Sequence, residues 1–374
     1  MNSLRVGIVG AGNISGIYCD NLTKFPSTEL VAIADLDADR AKAQAEKHSI
    51  RSMSVDELIG SPDVDLILNI TIPKAHGEVA IRALEAGKHV YNEKPLAVGR
   101  DDCVKMLALA SAKGLKVGCA PDTFLGAAHQ RVREMIDGGV IGVPVAVHGW
   151  MTSRGVENWH PNPEFFYKPG AGPMLDMGPY YLTAFVNMFG PIQRIASMTR
   201  TTFPERTITS EPFKGQIIKV ETPTTLVAAL QFAGGVVGQL TTSFDTHGFP
   251  GQPNIVVYGS EGTLVVPDPN SFNGWNEGSS KIILRDGKGD EHIYISELPF
   301  KNNSRGLGIL DIAHAIAEGR DHRASGALAF HVLDTMLAAI ESSDESRFIT
   351  PSTQPVQPAL IGAEEFPLER GLMG

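Results

Sequence analysis

The first 35 residues constrain the fold of this chain more than any other stretch. Residues 4–9 are apolar and rich in β-branched side chains, which predicts a buried strand. A glycine loop follows, in which Gly10 can adopt a positive φ angle and Gly12 lets the main chain approach a pyrophosphate. Residues 30–34 form a second apolar run that ends at Asp35. This order of strand, glycine loop, helix, strand and acid predicts a βαβ unit that binds a dinucleotide.

The acid at the end of the second strand indicates which dinucleotide is bound. Asp35 follows Ser15 by 20 residues, a spacing at which a carboxylate accepts a hydrogen bond from the ribose 2′-OH. A 2′-phosphate would be repelled, so we expect NAD to be preferred over NADP, although Arg40 in the following helix could approach such a phosphate. Ser15 occupies the third fingerprint position, where Gly or Ala is usual, and makes the match less complete.

Two domains are predicted from the order of the elements. Strands and helices alternate through residues 1–120, which predicts an N-terminal Rossmann domain with a doubly wound parallel sheet. Residues 121–374 contain successive strands, with hairpin turns at 233–235 and 260–262, and helices near the end. We therefore expect a C-terminal α/β domain with a large, mostly antiparallel open sheet.

Composition excludes several classes of partner. The 374 residues carry a formal net charge of −10 with no basic cluster, which argues against nucleic acid and anionic membranes. No apolar run is long enough to span a bilayer, and the first strand begins directly after Met1, so no signal peptide is expected. The three cysteines lack metal or redox spacing, and no metal site is expected. These features predict a cytoplasmic protein with reduced thiols.

Lys94 is the first candidate catalytic residue. It follows a predicted strand at the carboxyl end, between Glu93 and Pro95, where ligands of parallel sheets bind. A lysine ammonium at this place can hydrogen-bond a substrate hydroxyl and stabilise an alkoxide. The alternative is an ordinary lysine at a strand end that faces water.

A second candidate lies in the predicted helix from residue 174 to 189. Asp176 and Tyr180 are four residues apart and would share one helix face. Tyr180 could serve as a general base if a cation such as Lys94 lowered its pKa. Pro179 predicts a kink or a position in the first turn. The alternatives are a helix N-terminal acid for Asp176 and a core aromatic for Tyr180.

The loop before this helix contains an aromatic pair. Trp159 can stack on the apolar face of a sugar ring, and the imidazole of His160 can hydrogen-bond a hydroxyl. The alternative is that Trp159 only holds a long loop in place.

These motifs together resemble the glucose–fructose oxidoreductase/inositol dehydrogenase (Gfo/Idh/MocA) family over nearly the whole chain. The matching segments are residues 10–14, 71–76, 93–95 and 170–180. The resemblance implies a Rossmann domain and a second domain whose open sheet builds homodimers or homotetramers. It further implies that Lys94 and Tyr180 flank the reacting carbon and that Asp176 contacts substrate or orients the base. It also implies that Thr71, Pro73, His76 and Glu93 line the nicotinamide half of the cofactor. The other expected cofactor contacts are Gly10, Gly12, Asn13, Ile14, Asp35 and Lys94.

Two departures from the family pattern bear on the substrate. Many members carry His where this chain has Tyr180, and an arginine-bearing stretch where it has Asp122 and Thr123. With Trp159 and His160, these residues look like a bacterial branch that acts on sugars or glycosides. The expected substrate contacts are Trp159, His160, Asp122 and Thr123. The function expected from the resemblance is an NAD(P)-dependent oxidoreductase acting on a secondary hydroxyl or ketone of a pyranose, glycoside or cyclic polyol. A redox-assisted NAD-dependent glycosidase and a non-catalytic nucleotide or sugar sensor are the alternatives.

Overall fold

The computed structural model describes residues 3–366 and residue 369. Contacts between Cα atoms divide the chain into two compact units: residues 1–130, 297–330 and 358–374 form the first, and residues 131–296 and 331–357 form the second. Two C-terminal segments thus belong to the first unit, which differs from the expected division at residue 120. The Asp122 carboxylate accepts hydrogen bonds from the Gly306 and Gly308 N–H groups, and the Cys119 N–H donates to the Ala324 carbonyl, which explains this placement.

The first unit contains a six-stranded sheet in which every pairing is parallel. Its strands are β1 (Leu4–Val9), β2 (Thr28–Ala34), β3 (Arg51–Met53), β4 (Leu66–Asn69), β5 (His89–Asn92) and β6 (Val117–Cys119). The order β3-β2-β1-β4-β5-β6 is that of a Rossmann fold and confirms the predicted parallel sheet. Strand β3 was not predicted, because three residues are too few to show a period.

Helices connect the strands, and the helix predicted at residues 174–189 is present at residues 173–189. They are α1 (Ser15–Leu22), α2 (Ala38–His48), α3 (Val55–Gly60), α4 (Pro73–Glu85), α5 (Arg100–Lys113), α6 (Ala127–Asp137), α7 (Pro173–Phe189), α8 (Leu307–Glu318) and α9 (Gly326–Glu345). Ser54 and Glu57 cap the start of α3 reciprocally, as their spacing predicts. Pro179 lies within α7, beyond its first turn, and the helix continues through it to Phe189.

The second unit contains an eight-stranded sheet and a two-stranded ribbon. The strands are β7 (Pro144–Thr152), β8 (Ile192–Arg200), β9 (Glu205–Thr207), β10 (Ile217–Lys219), β11 (Thr225–Phe232), β12 (Val237–Ser243), β13 (Ile255–Gly259), β14 (Gly262–Val266), β15 (Ile282–Asp286) and β16 (Glu291–Tyr294). The large sheet has the order β16-β15-β14-β13-β7-β12-β11-β8, with β7 and β12 its one parallel pair among the described strands. The ribbon pairs β9 with β10. The expectation of a mostly antiparallel second sheet is therefore confirmed.

The two faces of this sheet differ. Helix α7 packs on one face, where a Cβ atom on Gly149 would lie 2.8 Å from the Phe185 ring and 3.2 Å from the Tyr181 ring. On β11, Leu226 is buried whereas Val227 is exposed and pairs with the exposed Met198 of β8. This alternation is typical of a sheet with one covered and one open face.

Candidate active site

The backbone register of the parallel sheet brings the cofactor-binding candidates to one edge. Pairing aligns the last residues of five strands in a single row: Ala34, Val9, Asn69, Asn92 and Cys119. The residues that follow this row therefore lie together at the carboxyl edge. Ligands of doubly wound sheets bind at this edge, where the strand order reverses between β1 and β4.

The glycine loop has room for a dinucleotide phosphate. Gly10 has a φ of +112°, and a Cβ atom there would lie 2.7 Å from the Ile70 carbonyl oxygen, so no other residue fits. A Cβ atom on Gly12 would meet nothing within 4 Å, so packing inside the protein does not require this glycine. Asn13 is exposed beside it, and α1 begins after Ile14 without a side-chain cap, so no capping side chain competes with an anion at this helix end. The Ser15 N–H donates to the Gly12 carbonyl at 3.0 Å.

Ser15, the departure from the fingerprint, serves the loop itself. Its hydroxyl donates to the Gly12 carbonyl at 2.7 Å and its side chain is fully buried. The serine therefore stabilises the loop and leaves the space above Gly12 open. This arrangement fits the pyrophosphate of a dinucleotide.

Asp35 is joined to the glycine loop by hydrogen bonds. Its Oδ2 accepts from the Ala11 N–H at 2.7 Å and its Oδ1 from the Asp37 N–H at 2.9 Å. A carboxylate has about four acceptor sites, so the half-buried group can still accept from a ribose hydroxyl. Arg40 forms an exposed ion pair with Asp37, with 3.4 Å between Nη2 and Oδ2.

The turn that carries Lys94 is held by a buried carboxylate. Glu93 Oε1 accepts from the Tyr18 hydroxyl at 2.7 Å, and Oε2 accepts from the Lys94 N–H at 2.9 Å. Lys94 itself is half-buried and begins a cis peptide bond to Pro95. Glu93 thus fixes the backbone of the candidate catalytic residue. Tyr18 was not recognised in the sequence, because a tyrosine within α1 carries no motif.

His76 connects the two loops that flank this turn. Its Nδ1 lies 2.6 Å from the Pro95 carbonyl oxygen and its Nε2 lies 3.1 Å from the Thr71 carbonyl oxygen. The ring is buried, and burial lowers the pKa of His76 despite these contacts. Pro73 occupies the first turn of α4, where its missing N–H costs nothing. The structure therefore gives His76 a role in holding the loops, while its contact with the nicotinamide stays a prediction.

Asp122 and Thr123, expected to contact substrate, are both buried in the first unit. Oδ2 of Asp122 accepts from the N–H groups of Gly306, at 2.9 Å, and Gly308, at 3.0 Å, at the start of α8. Asp122 therefore stabilises the beginning of a helix, which the sequence did not reveal because its partners are more than 180 residues away. Its contact with substrate stays a prediction. Burial raises the pKa of Asp122 to about 6, with partial compensation from the Gly308 hydrogen bond and the Arg305 charge.

This raised pKa predicts a pH-dependent stability. The folded protein holds the Asp122 proton more tightly than the unfolded chain, so ionisation destabilises the fold as the pH rises from 3.8 to about 6. A shift of about two pKa units corresponds to about 3 kcal/mol. Asp122→Asn keeps an acceptor oxygen without the charge. Relative to wild type, the variant should therefore gain about 2–3 kcal/mol in unfolding free energy between about pH 4 and about pH 8. Denaturant titrations at both values check this, and a difference independent of pH would contradict it.

In the second unit, helix α7 presents Asp176 and Tyr180 one turn apart. Asp176 lies in the first turn, where its negative charge is favoured by the helix dipole, and it is half-buried. Tyr180 is buried, with 8% of its surface exposed. Gly172 is the N-cap residue of this helix, with a φ of +96°, and a Cβ atom there would lie 2.8 Å from the Pro223 carbonyl oxygen. This glycine sets where the first turn of α7 starts.

Tyr181 can be separated from Tyr180 by its hydrogen bonds. Its hydroxyl donates to the Trp150 carbonyl at 3.0 Å and accepts from Asn254 Nδ2 at 2.9 Å. Burial raises the pKa of Tyr181 well above its usual range. Tyr181 is therefore a structural contact between α7 and the sheet and is unsuited to act as a base.

The loop before α7 places Trp159 at the surface and His160 beside it. Trp159 is 64% exposed, so it does not hold the loop by burial. Nδ1 of His160 accepts from the Asn162 N–H at 3.0 Å, which assigns the proton of the neutral ring to Nε2. Burial lowers the pKa of His160, although the Asn162 contact and the Asp176 charge raise it. A neutral His160 thus offers a hydrogen-bond donor, which suits recognition of a substrate oxygen better than proton removal.

No group of three His, Cys, Asp or Glu side chains within residues 3–366 and 369 is arranged to hold a metal ion. None of the helices in this part of the chain is long and apolar enough to cross a membrane. Cys19, Cys103 and Cys119 are buried.

The Rossmann sheet, the open glycine loop and the acid after β2 define a dinucleotide-binding oxidoreductase. Residues 4–120 match the model of the oxidoreductase family with an NAD-binding Rossmann fold, and residues 129–265 match the GFO/IDH/MocA C-terminal domain. The chain belongs to the GFO/IDH/MocA family. It contains the NAD-binding domain of that family, as the sequence motifs indicated.

Several similar proteins are named for sugar or polyol substrates. A 1,5-anhydro-D-fructose reductase of Ensifer adhaerens is 28% identical over 91% of this chain and 96% of that protein. Inositol 2-dehydrogenase 3 of Saccharopolyspora erythraea is 37% identical, but the alignment covers 39% of this chain and 44% of the relative. The chain therefore spans less than half the length of that inositol dehydrogenase. The structure of levoglucosan dehydrogenase in complex with NADH has a TM-score of 0.79 at 20% identity, over 94% of this chain and 100% of that chain, and it supports the fold.

Proposed function

We propose that the protein is an NAD-dependent dehydrogenase that oxidises a secondary hydroxyl of a pyranose sugar, glycoside or cyclic polyol, or reduces the corresponding ketone. The observation that carries this proposal is the position of Lys94. It follows the end of β5 by two residues, at the same sheet edge as the glycine loop and Asp35. NAD, when bound, supplies the hydride acceptor. Glu93 fixes the Lys94 backbone, so the ammonium group can bind the substrate hydroxyl and stabilise the alkoxide that forms.

Four residues of the second unit are assigned to the same reaction. Tyr180 takes the proton from the substrate hydroxyl, and Asp176, one turn earlier on the same helix, contacts the substrate or orients the base. His160 Nε2–H donates to a sugar oxygen, which follows from the Asn162 contact at Nδ1. The exposed ring of Trp159 stacks on the apolar face of the sugar.

The first test is reduction of NAD by purified protein in the presence of a panel of sugars, glycosides and inositols. Absorbance of reduced nicotinamide should rise with at least one pyranose or cyclic polyol and stay flat with linear alcohols. Hydrolysis of a glycoside without net formation of reduced cofactor would instead indicate the redox-assisted glycosidase. No turnover, with NAD bound, would indicate the sensor.

We expect NAD to be preferred over NADP by at least about tenfold in kcat/KM, or roughly 1.4 kcal/mol. The reason is the half-buried Asp35 carboxylate, which would lie against a 2′-phosphate, while Arg40 is paired with Asp37. Combining Asp35→Ser with Leu36→Arg should shift the ratio toward NADP, because Leu36 is 98% exposed and can accept the longer side chain. Leu36→Gln is the control. Equal kcat/KM for the two cofactors in wild type would refute this preference.

Assembly and location are also part of the proposal. The open sheet face carries the exposed neighbours Met198 and Val227, which supports a homodimer or homotetramer formed through this sheet. Sedimentation of the wild type and of a Met198→Glu/Val227→Glu variant tests this, since two charges should shift the assembly toward monomers. A cytoplasmic location remains a prediction from composition.

A further inference from the structure

The loop that carries Trp159 and His160 belongs to a small lobe with its own apolar core. We define the loop lobe as residues 153–172 together with residues 201–222, which include the ribbon β9–β10. Its buried core consists of Val156, Phe166, Tyr167, Ile208, Ile218 and Val220, and it is closed by Phe244 at the end of β12. Because a ribbon of two three-residue strands is marginal by itself, additional contacts must fix this lobe.

Arg206 supplies those contacts from the centre of the lobe. Its Nη1 donates to Glu157 Oε1 at 2.7 Å and to the Arg154 carbonyl at 3.1 Å. Its Nη2 donates to Asp245 Oδ1 at 2.5 Å and to the Phe244 carbonyl at 2.8 Å. The guanidinium thus joins the loop to the end of β12. Arginine suits this task because its planar donors reach several acceptors in fixed directions.

Aromatic rings and a tyrosine hydroxyl complete the network. The guanidinium carbon lies 5.5 Å from the centre of the Tyr167 ring and 5.0 Å from that of Phe203. The Tyr167 hydroxyl donates to Oε2 of Glu157, the oxygen that Arg206 leaves open. The Glu157 carbonyl accepts from the N–H groups of Thr209 and Ser210. Glu157 is therefore fixed through its side chain and its backbone.

Trp159 and His160 lie two and three residues after Glu157 in the sequence. Trp159 is largely exposed, and its N–H bond to the Val156 carbonyl spans 3.3 Å. The His160 carbonyl accepts from the Ser210 hydroxyl at 2.6 Å, which again connects it to the lobe. The positions of both side chains therefore depend on the network around Arg206.

We propose that Arg206 is a positioning residue for sugar binding, which holds Trp159 and His160 in a preformed arrangement through Glu157 and Asp245. This rests on the proposed function. Buried ion pairs often add little stability compared with apolar packing, so a fixed geometry is the advantage such a network gives. A preformed arrangement lowers the entropy that binding must overcome, and its loss should weaken sugar binding more than catalysis.

The test compares Arg206→Lys with Arg194→Lys. Lysine keeps the charge but cannot reach both carboxylates and both carbonyls. Arg194 is the matched control, because it bonds Gln231 and lies 5.1 Å from the Phe348 ring, outside the loop lobe. Arg206→Lys should raise the KM for the sugar about tenfold while kcat stays within about twofold and NAD affinity is unchanged. Arg194→Lys should leave all three values unchanged.

A spectroscopic readout follows the loop itself. With Trp150 and Trp275 replaced by Phe, Trp159 is the sole tryptophan of the 374-residue chain. Acrylamide quenching of Trp159 should increase in Arg206→Lys and stay unchanged in Arg194→Lys. Tyr167→Phe keeps the ring and removes the hydroxyl, which donates to Glu157 and accepts from the Val156 N–H at 3.4 Å. It should therefore shift KM and quenching in the same direction by a smaller amount. This variant carries the test if Arg206→Lys does not fold.

Wild-type KM and quenching in the folded variants would overturn the proposal, even if their melting temperature fell. A fall in kcat with unchanged KM would also overturn it. If the wild type oxidised no sugar, the proposed function would fail, whereas the quenching comparison would still decide whether Arg206 holds the loop.

Discussion

Lys94→Ala should lower kcat by about 10²–10³ and leave NAD affinity largely unchanged. The side chain is half-buried at the carboxyl edge of the parallel sheet, on a backbone that Glu93 fixes through the Lys94 N–H. Loss of one donor to a developing alkoxide costs this much because the charge forms in the transition state and not in the bound substrate. The measurements are steady-state kinetics with the best sugar and a fluorescence titration with NADH.

Lys42→Ala is the control for this variant, because Lys42 lies on α2 of the same unit with 70% of its side chain exposed. Its kcat should equal that of wild type. If Lys94→Ala kept more than about a tenth of the wild-type kcat, an effect below roughly 1.4 kcal/mol, Lys94 would not have the proposed role.

Tyr180→Phe should lower kcat by about 10²–10⁴ with unchanged NAD affinity, because it removes only the hydroxyl that takes the substrate proton. An unperturbed phenol titrates near ~10, so a base at this position needs a lowered pKa. The pH profile of kcat in wild type should therefore have a limb from a base near neutral pH, and Tyr180→Phe should lack it.

Two variants separate Tyr180 from its neighbours. Tyr181→Phe loses hydrogen bonds to the Trp150 carbonyl and Asn254, so it should lower stability by roughly 1 kcal/mol and preserve kcat. His160→Asn should raise the KM for the sugar more than it lowers kcat. Normal turnover by Tyr180→Phe, with an inactive His160→Asn or Asp176→Asn, would place the base elsewhere.

The fold could be predicted where a pattern of apolar residues typical of a strand or a helix extends over enough residues. The buried strand of residues 4–9 was predicted at the bounds the structure shows, and the helix predicted from residue 174 begins at Pro173. Strand β3 and the ribbon β9–β10 were missed, since each strand has three residues. The return of α8 to the first unit was also missed, because it depends on the bonds from Gly306 and Gly308 to Asp122.

The candidate site was likewise predictable only in part from the sequence. Gly10 and Asp35 were predictable because local backbone geometry requires a glycine and an acid at fixed spacing. Residues that support the site from a distance had no local signal: Tyr18 reaches Glu93 across 75 residues, and Arg206 reaches Glu157 across 49. Such contacts follow from the tertiary fold and can be found only once the structure places these side chains together.

The central claim is that this chain moves hydride between a sugar carbon and NAD. The most direct measurement is a single turnover with the best sugar deuterated at the carbon that bears the reactive hydroxyl, followed by mass spectrometry of the nicotinamide product. The account predicts one deuterium in NADH, formed in stoichiometric amount by wild type and in trace amount by Lys94→Ala. Unlabelled NADH, or release of a cleaved glycoside with no reduced cofactor remaining, would contradict it.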